Sequence, residues 1–212
     1  DSGMSSIKLK HSGGNSVIIA APSSNPASDR TITVPSTADG TMLTTTNPKS
    51  GNILQVVQGG SNAVSSASVN AGSIWESTGI DVTITPAHAN NKILLMASIH
   101  AHCTGPQNNH GVILRKGTGG SYSTLTAANG ATSGNMMTLI AAATGVNIYD
   151  ISGLSFNYLD TAGSTSATTY RCDLYNPSSI TRTVYVNRAA SEADTGYYAR
   201  AASWIIAMEV AA

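Results

Sequence analysis

The sharpest chemical motif in the chain is His100-Ala101-His102. On a strand, both imidazoles point to one face, about 7 Å apart. Two imidazoles make a poor metal site in a single chain. Three copies around a three-fold axis would supply six nitrogens, a set suited to octahedral first-row metals. That geometry needs the strand to line the axis, whereas this pair stands near the end of its strand. The reading adopted is a solvated or loop-facing pair, with no metal and no other cofactor.

Acid–base chemistry on a glycoside needs two carboxylates facing each other across a groove. The three glutamates are Glu76, Glu192 and Glu209, and Asp81, Asp150, Asp160, Asp173 and Asp194 are scattered among strands and loops. These are expected to cap turns and solvate faces. The chain has no Gly-x-Ser-x-Gly elbow and no phosphate loop of Gly-x-x-x-x-Gly-Lys-Ser/Thr type. Gly117-Thr118-Gly119-Gly120-Ser121 has glycines but no lysine, and reads as a flexible loop. Cys103 and Cys172 are too few for a disulfide scaffold and read as free, half-buried thiols. The expectation is a protein that is not an enzyme.

Recognition is a better match to the residues. Sugar binding uses an aromatic face against the apolar side of a ring and polar groups for its hydroxyls. Four polar stretches hold such types: 104–110, 117–134, 160–168 and 189–202. Asn108, Asn109 and His110, the lone Tyr122, and Tyr197-Tyr198 between Asp194 and Arg200 are the candidate receptor contacts. Binding residues concentrate on loops held by a rigid scaffold.

The elements that hold these residues follow from composition and alternation. Of 212 residues, 41% are apolar and only 10% charged, with 11 basic and 11 acidic. So little clustered charge excludes nucleic acid as a partner. Ser, Thr, Asn, Gly and Ala take the place of charge, which fits a β-rich extracellular or virion protein. No apolar run approaches the roughly 18 residues of a membrane span. There is no basic-then-apolar leader, and Met4 is a candidate start.

Residues 1–50 hold only short apolar pieces: Ile7-Lys8-Leu9, Val17-Ile18-Ile19, Thr31-Ile32-Thr33-Val34 and Met42-Leu43. None is long enough to build its own core, so neighbouring copies must complete them. Pro48 and Gly51 mark a hinge. Residues 51–212 then alternate with period 2. Ile80, Val82 and Ile84 share a face, as do Ile93, Leu95, Ala97, Ile99, Ala101 and Cys103. Leu154, Phe156 and Tyr158 form another face; Tyr170, Cys172 and Leu174 another; Val184 and Val186 another. Shorter strands are expected over 53–58, 111–116 and 136–141, with enough apolar residues at 139–144 for a helical turn. Trp204 to Val210 is apolar on both faces and needs a cover on each, a partner subunit or a loop. About eight to ten strands separated by turns predict an all-β, jelly-roll-like sandwich.

A family resemblance rests on particular segments. Ser5 to His11 followed by Asn15 to Pro22, and Arg30 to Pro35 followed by Asp39-Gly40-Thr41-Met42-Leu43, resemble the shaft motif of tailed-phage fibre proteins. Gly51 to Gln58, and Thr78 to Pro86 followed by Asn91 to Leu94, are similar to the heads of marine and cyanophage fibres. The resemblance covers the shaft and the first third of the head. It implies a homotrimer with a short intertwined shaft at 1–50 and a β-sandwich head at 51–212. It also implies a location on the virion, as tail fibre or on the capsid surface, with contacts to other virion proteins through the N-terminal segment. The head would attach to the host surface, most simply to a glycan, without inserting into a membrane. The alternatives are a capsid decoration or collar protein without a receptor, a polysaccharide depolymerase, and a trimeric bacterial adhesin.

Overall fold

The computed structural model describes residues 6–20, 23, 24, 26, 28, 48–76, 78–105, 110–128, 139–141, 148–191 and 200–212. The expected strands at 31–34 and 42–43 lie outside these. The chain divides into two compact units, Asp1–Met42 and Leu43–Ala212.

In the first unit β1 (Ser6–Lys10) and β2 (Ser16–Ala20) form an antiparallel hairpin. Its register pairs Ile7 with Ile19 and Leu9 with Val17, so four aliphatic residues share one face. Lys8 and Lys10 stand on the other. The aliphatic face is open, with those four side chains 48–67% exposed.

The second unit contains β3 (Ile53–Ser61), β4 (Ser65–Val69), β5 (Ile74–Trp75), β6 (Asp81–Ile84), β7 (Lys92–Cys103) and β8 (His110–Thr118). It continues with β9 (Ser121–Thr124), β10 (Leu139–Ala141), β11 (Ser152–Thr161), β12 (Thr168–Tyr175), β13 (Arg182–Val186) and β14 (Ser203–Val210). These form two six-stranded antiparallel sheets, a β-sandwich. One, the β7 sheet, runs β3-β14-β7-β13-β4, with β11 on the other edge of β7. The second, the β12 sheet, runs β10-β8-β12-β5, with β6 also on β12 and β9 on β8.

The alternation read from the sequence sets the core. Ile93, Leu95, Ala97, Ile99, Ala101 and Cys103 all point inward from β7, with Ile205 and Ala207 beside them on β14. Val112, Leu114, Tyr170, Cys172 and Leu174 face them from β8 and β12, with Val82 and Ile84 from β6. Each large aliphatic side chain sealed this way contributes about 1.5–3 kcal/mol. Both cysteines are buried and free, more deeply than the half-buried thiols expected.

One glycine allows a close approach, and two others form a turn. A Cβ on Gly59 would overlap the carbonyl oxygen of Asp81, so only glycine lets β3 lie against β6 where the sheets meet. Gly119 and Gly120 have φ of +61° and +89° between the paired Thr118 and Ser121. Positive φ at both central residues makes the tight turn that matches strand twist. This corrects the flexible loop expected at 117–121: Gly117 and Thr118 end β8, and Ser121 opens β9.

Other expectations shift as well. Residues 139–141 pair with β8, within the strand expected over 136–141 and not as the start of the helical turn expected at 139–144. Asp160 belongs to β11, so that loop starts later than expected. β4 carries Ser-Ser-Ala-Ser-Val and had too little apolar signal to be foreseen. β13 recruits it through five paired positions.

Candidate functional site

The outward face of the β12 sheet carries a compact charge cluster. Register sets Arg171 opposite Arg115, and Asp173 two residues further along β12 on the same face. The Asp173 Oδ2 accepts from Arg171 at 2.7 Å and from Arg115 at 3.2 Å. Glu76, just beyond β5, pairs with Arg115 and with Arg171. Tyr122 on β9 completes the group: the Arg171 guanidinium lies 4.0 Å from its ring centroid, and its carbonyl accepts from Arg115 at 2.6 Å.

Electrostatics divides the two carboxyls. The hydrogen bond from Arg115, aided by the charge of Arg171, holds Glu76 below its ordinary value. Burial pushes Asp173 above its ordinary value against the pull of both arginines. A raised and a lowered carboxyl side by side can mark an acid–base pair. Here Asp173 is sealed from solvent and both carboxyls are bound to arginine, so the arrangement pins strands. Asp173 was expected on a solvated face; burial of the outward side of β12 overrides that.

Two further carboxyls are structural anchors. Asp160 accepts from Lys116 and from the Tyr170 hydroxyl, each at 2.7 Å. Glu209 is buried and accepts from Gln55, Asn91 and the Ala87 backbone at 2.5, 2.6 and 2.7 Å. Burial alone would raise the Glu209 carboxyl, but these donors hold it below its ordinary value.

A different place has room for a ligand. A cleft of about 510 Å³ opens beside β3 and the start of β14. Gln58, Ser61, Asn62 and Trp204 line it, over a floor that includes Gly59 and Gly60. Its volume falls within the usual range for small-molecule sites. An indole beside carboxamides and a hydroxyl, with no charged lining residue, suits a neutral sugar: ring against ring, amides to hydroxyls.

The residues singled out from sequence fare unequally. Tyr122 joins the charge cluster. His110 was placed in an exposed loop, but it opens β8 on the inward side and is 1% exposed. Asn108, Asn109, Tyr197 and Tyr198 lie outside the described residues. His100 and His102 do share the outward face of β7. His102 is buried rather than solvated, its Nε2 without a hydrogen-bond partner, whereas His100 is half-buried, with its Nδ1 sealed in the same way. Burial lowers the His102 pKa, and its ring packs against Tyr185. Among the described residues, no group of three His, Cys, Asp or Glu side chains is placed to hold a metal. Trp204 and Gln58 were read only as strand residues. A lone indole at a strand end, beside Gly59-Gly60-Ser61-Asn62 across the ladder, was the missed signal.

No protein-family model matches the chain, and no curated protein matches it. Among solved structures, the chain is similar to one in "Structure of infectious bursal disease virus Gt strain", with a TM-score of 0.34 and 12% identity. The match covers 94% of this chain and 48% of that one, so this chain spans about half its length. The sandwich assignment rests on the strands themselves rather than on this likeness.

Proposed function

We propose that this is a virion structural protein that assembles as a homotrimer. It would stand as a tail fibre or on the capsid surface and display its sandwich for host attachment. The observation that carries this reading is the open aliphatic face of the β1–β2 hairpin. A lone two-stranded hairpin is marginal in water. Ile7, Leu9, Val17 and Ile19 on one face ask for an apolar cover that copies of the same hairpin supply. Three-fold closure satisfies all copies without running on into filaments. The N-terminal unit also serves as the tie to other virion proteins. The head takes no part in chemistry, nucleic-acid binding or membrane insertion, and the Trp204 cleft is its place for a host glycan.

Light scattering after size exclusion tests the assembly. The intact chain is expected at three times its own mass. Ile7→Asp with Val17→Asp is expected to shift it toward monomer with the head's β content unchanged. A double variant that stays trimeric overturns the role of the hairpin. A second reading, a capsid or collar component without a receptor, is favoured by the Tyr122 cluster, whose two carboxyls are both bound to arginines of the same sheet. Binding of purified protein to host cells separates the two.

A further inference from the structure

The Trp204 cleft is held by a residue that does not line it. Asn187 follows directly on β13 and is fully buried. Its φ of +60° is the one positive value at a non-glycine residue among the described residues. Asparagine tolerates this left-handed region better than most side chains, at a cost in strain that its surroundings must offset. Here hydrogen bonds do so. The Asn187 backbone N–H donates to His100 O at 2.9 Å, and its backbone oxygen accepts from Ala201 N at 3.0 Å. The side-chain Nδ2 donates to Ser61 O at 2.8 Å and to Ala63 O at 2.9 Å. Oδ1 accepts from Ser203 Oγ at 2.6 Å, and that hydroxyl accepts in turn from His100 N at 2.8 Å.

These bonds reach both walls of the cleft. Ser61 O and Ala63 O stand on either side of Asn62, an exposed residue of the lining. Ser203 precedes Trp204 in β14. One buried amide thus fixes both the arm that carries the Asn62 carboxamide and the strand end that carries the indole. Gly60 brings the two walls together, since a Cβ there would overlap Ser203 O and Trp204 Cα. The arm has need of a clamp: β3 ends at Ser61 and β4 starts at Ser65, so residues 62–64 lie outside the ladders.

We propose that Asn187 is the positioning residue of this cleft and Asn62 its specificity contact. Asn62 reads the hydroxyls of a neutral saccharide stacked on Trp204, and Asn187 sets its place without touching the ligand. The inference rests on the glycan reading of the cleft given above. Gln58 needs no such support, because it belongs to β3 and the ladder places it. A side chain on an unpaired arm is different: it must be ordered at the moment of binding unless something orders it in advance. The Asn187 amide, by gripping the carbonyls on both sides of Asn62, does that ordering in the free protein.

The test uses the intact chain, Asn187→Gly, Asn62→Ala and the two combined. Glycine keeps the left-handed backbone and deletes the three side-chain bonds. Hydrogen exchange of the 61–64 amides is expected to quicken in Asn187→Gly and to stay as in wild type in Asn62→Ala, with β7 unchanged in both. Maltotriose, cellotriose, N-acetylchitotriose and lacto-N-tetraose are screened by calorimetry, and the tightest binder is carried through the variants. Each single variant is expected to lose about tenfold in affinity, and the double variant well short of the product of the two losses. An equal loss from Asn187→Gly with and without Asn62 marks a general effect on the fold and overturns the inference. Should the glycine variant not fold, Asn187→Asp replaces it, since it keeps the Ser203 bond and sets an acceptor against two carbonyls. If the wild type binds one of the sugars and neither substitution weakens it, the glycan reading stands and this inference alone fails. A wild type that binds none of the four overturns both.

Discussion

Replacing Glu209 is expected to damage the head more than any other single polar change. Its carboxylate receives the Gln55 amide, the Asn91 amide and the Ala87 backbone within a sealed site. In Glu209→Gln one oxygen becomes an NH₂ that must face a donor. Gln55 cannot simply turn to accept, because its Nε2 also donates to Thr85 O at 2.7 Å. At least one buried donor is orphaned, at about 1–3 kcal/mol, and the remaining bonds lose charge assistance worth about 1 kcal/mol. The sum is about 3 kcal/mol, a large share of a typical stability of about 5–15 kcal/mol. With a urea dependence of about 2 kcal/mol per molar, the midpoint should fall by about 1.5 M. Unfolding followed by tryptophan fluorescence at matched protein concentration measures this. The pH arm fixes the charge state. A carboxyl held below its ordinary value of 4.5 stabilises the fold above that pH and loses the contribution as pH falls through its folded value. The gap between wild type and Glu209→Gln should therefore be full at pH 7 and shrink below about pH 4.5. A midpoint change under about 0.3 M at pH 7, or a gap constant down to pH 3, would refute an ionised, donor-saturated Glu209.

Gly59→Ala should cost several kcal/mol or prevent folding, because the methyl meets the Asp81 carbonyl; a thermal midpoint within a degree of wild type would exclude that contact. Tyr122→Ala should cost only about 1 kcal/mol, the worth of a cation–π contact at a partly exposed ring, read from the same urea curves. Burial pushes the Cys103 thiol up to about 11 and raises Cys172 as well, so neither should alkylate in native protein at pH 8. Both should react in urea, and rapid native labelling of either would contradict the core placement. Trp204→Ala should weaken binding of neutral oligosaccharides at least tenfold by calorimetry, and equal binding by the variant would move the glycan site elsewhere.

Much of the sandwich was legible because its inner faces keep strict alternation. Ile93 to Cys103 could be assigned to the interior without knowing what lay opposite. The outward faces were not legible, since burial there depends on which strands meet. Arg171 and Asp173 look solvent-bound in sequence, and only the pairing of β12 with β8 and the position of Glu76 turn them into a sealed network. β4 is a strand by recruitment, and no local signal in Ser65 to Val69 announces it. His110 was misplaced because polar neighbours suggested a loop, while its parity with Val112 and Leu114 put it inward. The double-sided apolar character of Trp204 to Val210 was visible early. Which face stayed open needed the registers with β3 and β7.

The pairing of β3 with β14 has a consequence for biosynthesis. The first strand of the head finds its ladder partner in the last, some 150 residues later, and β14 alone joins β3 to β7. While the ribosome is still making the chain, β3 and one edge of β7 have no partner to close on. The head can therefore be completed only after β14 has emerged, whereas the β1–β2 hairpin is local and can form at once. The outer side of this sheet, which needs β3, β14, β7 and β11 together, comes into being at the same late moment. Half-made chains thus carry no finished outer face on this sheet.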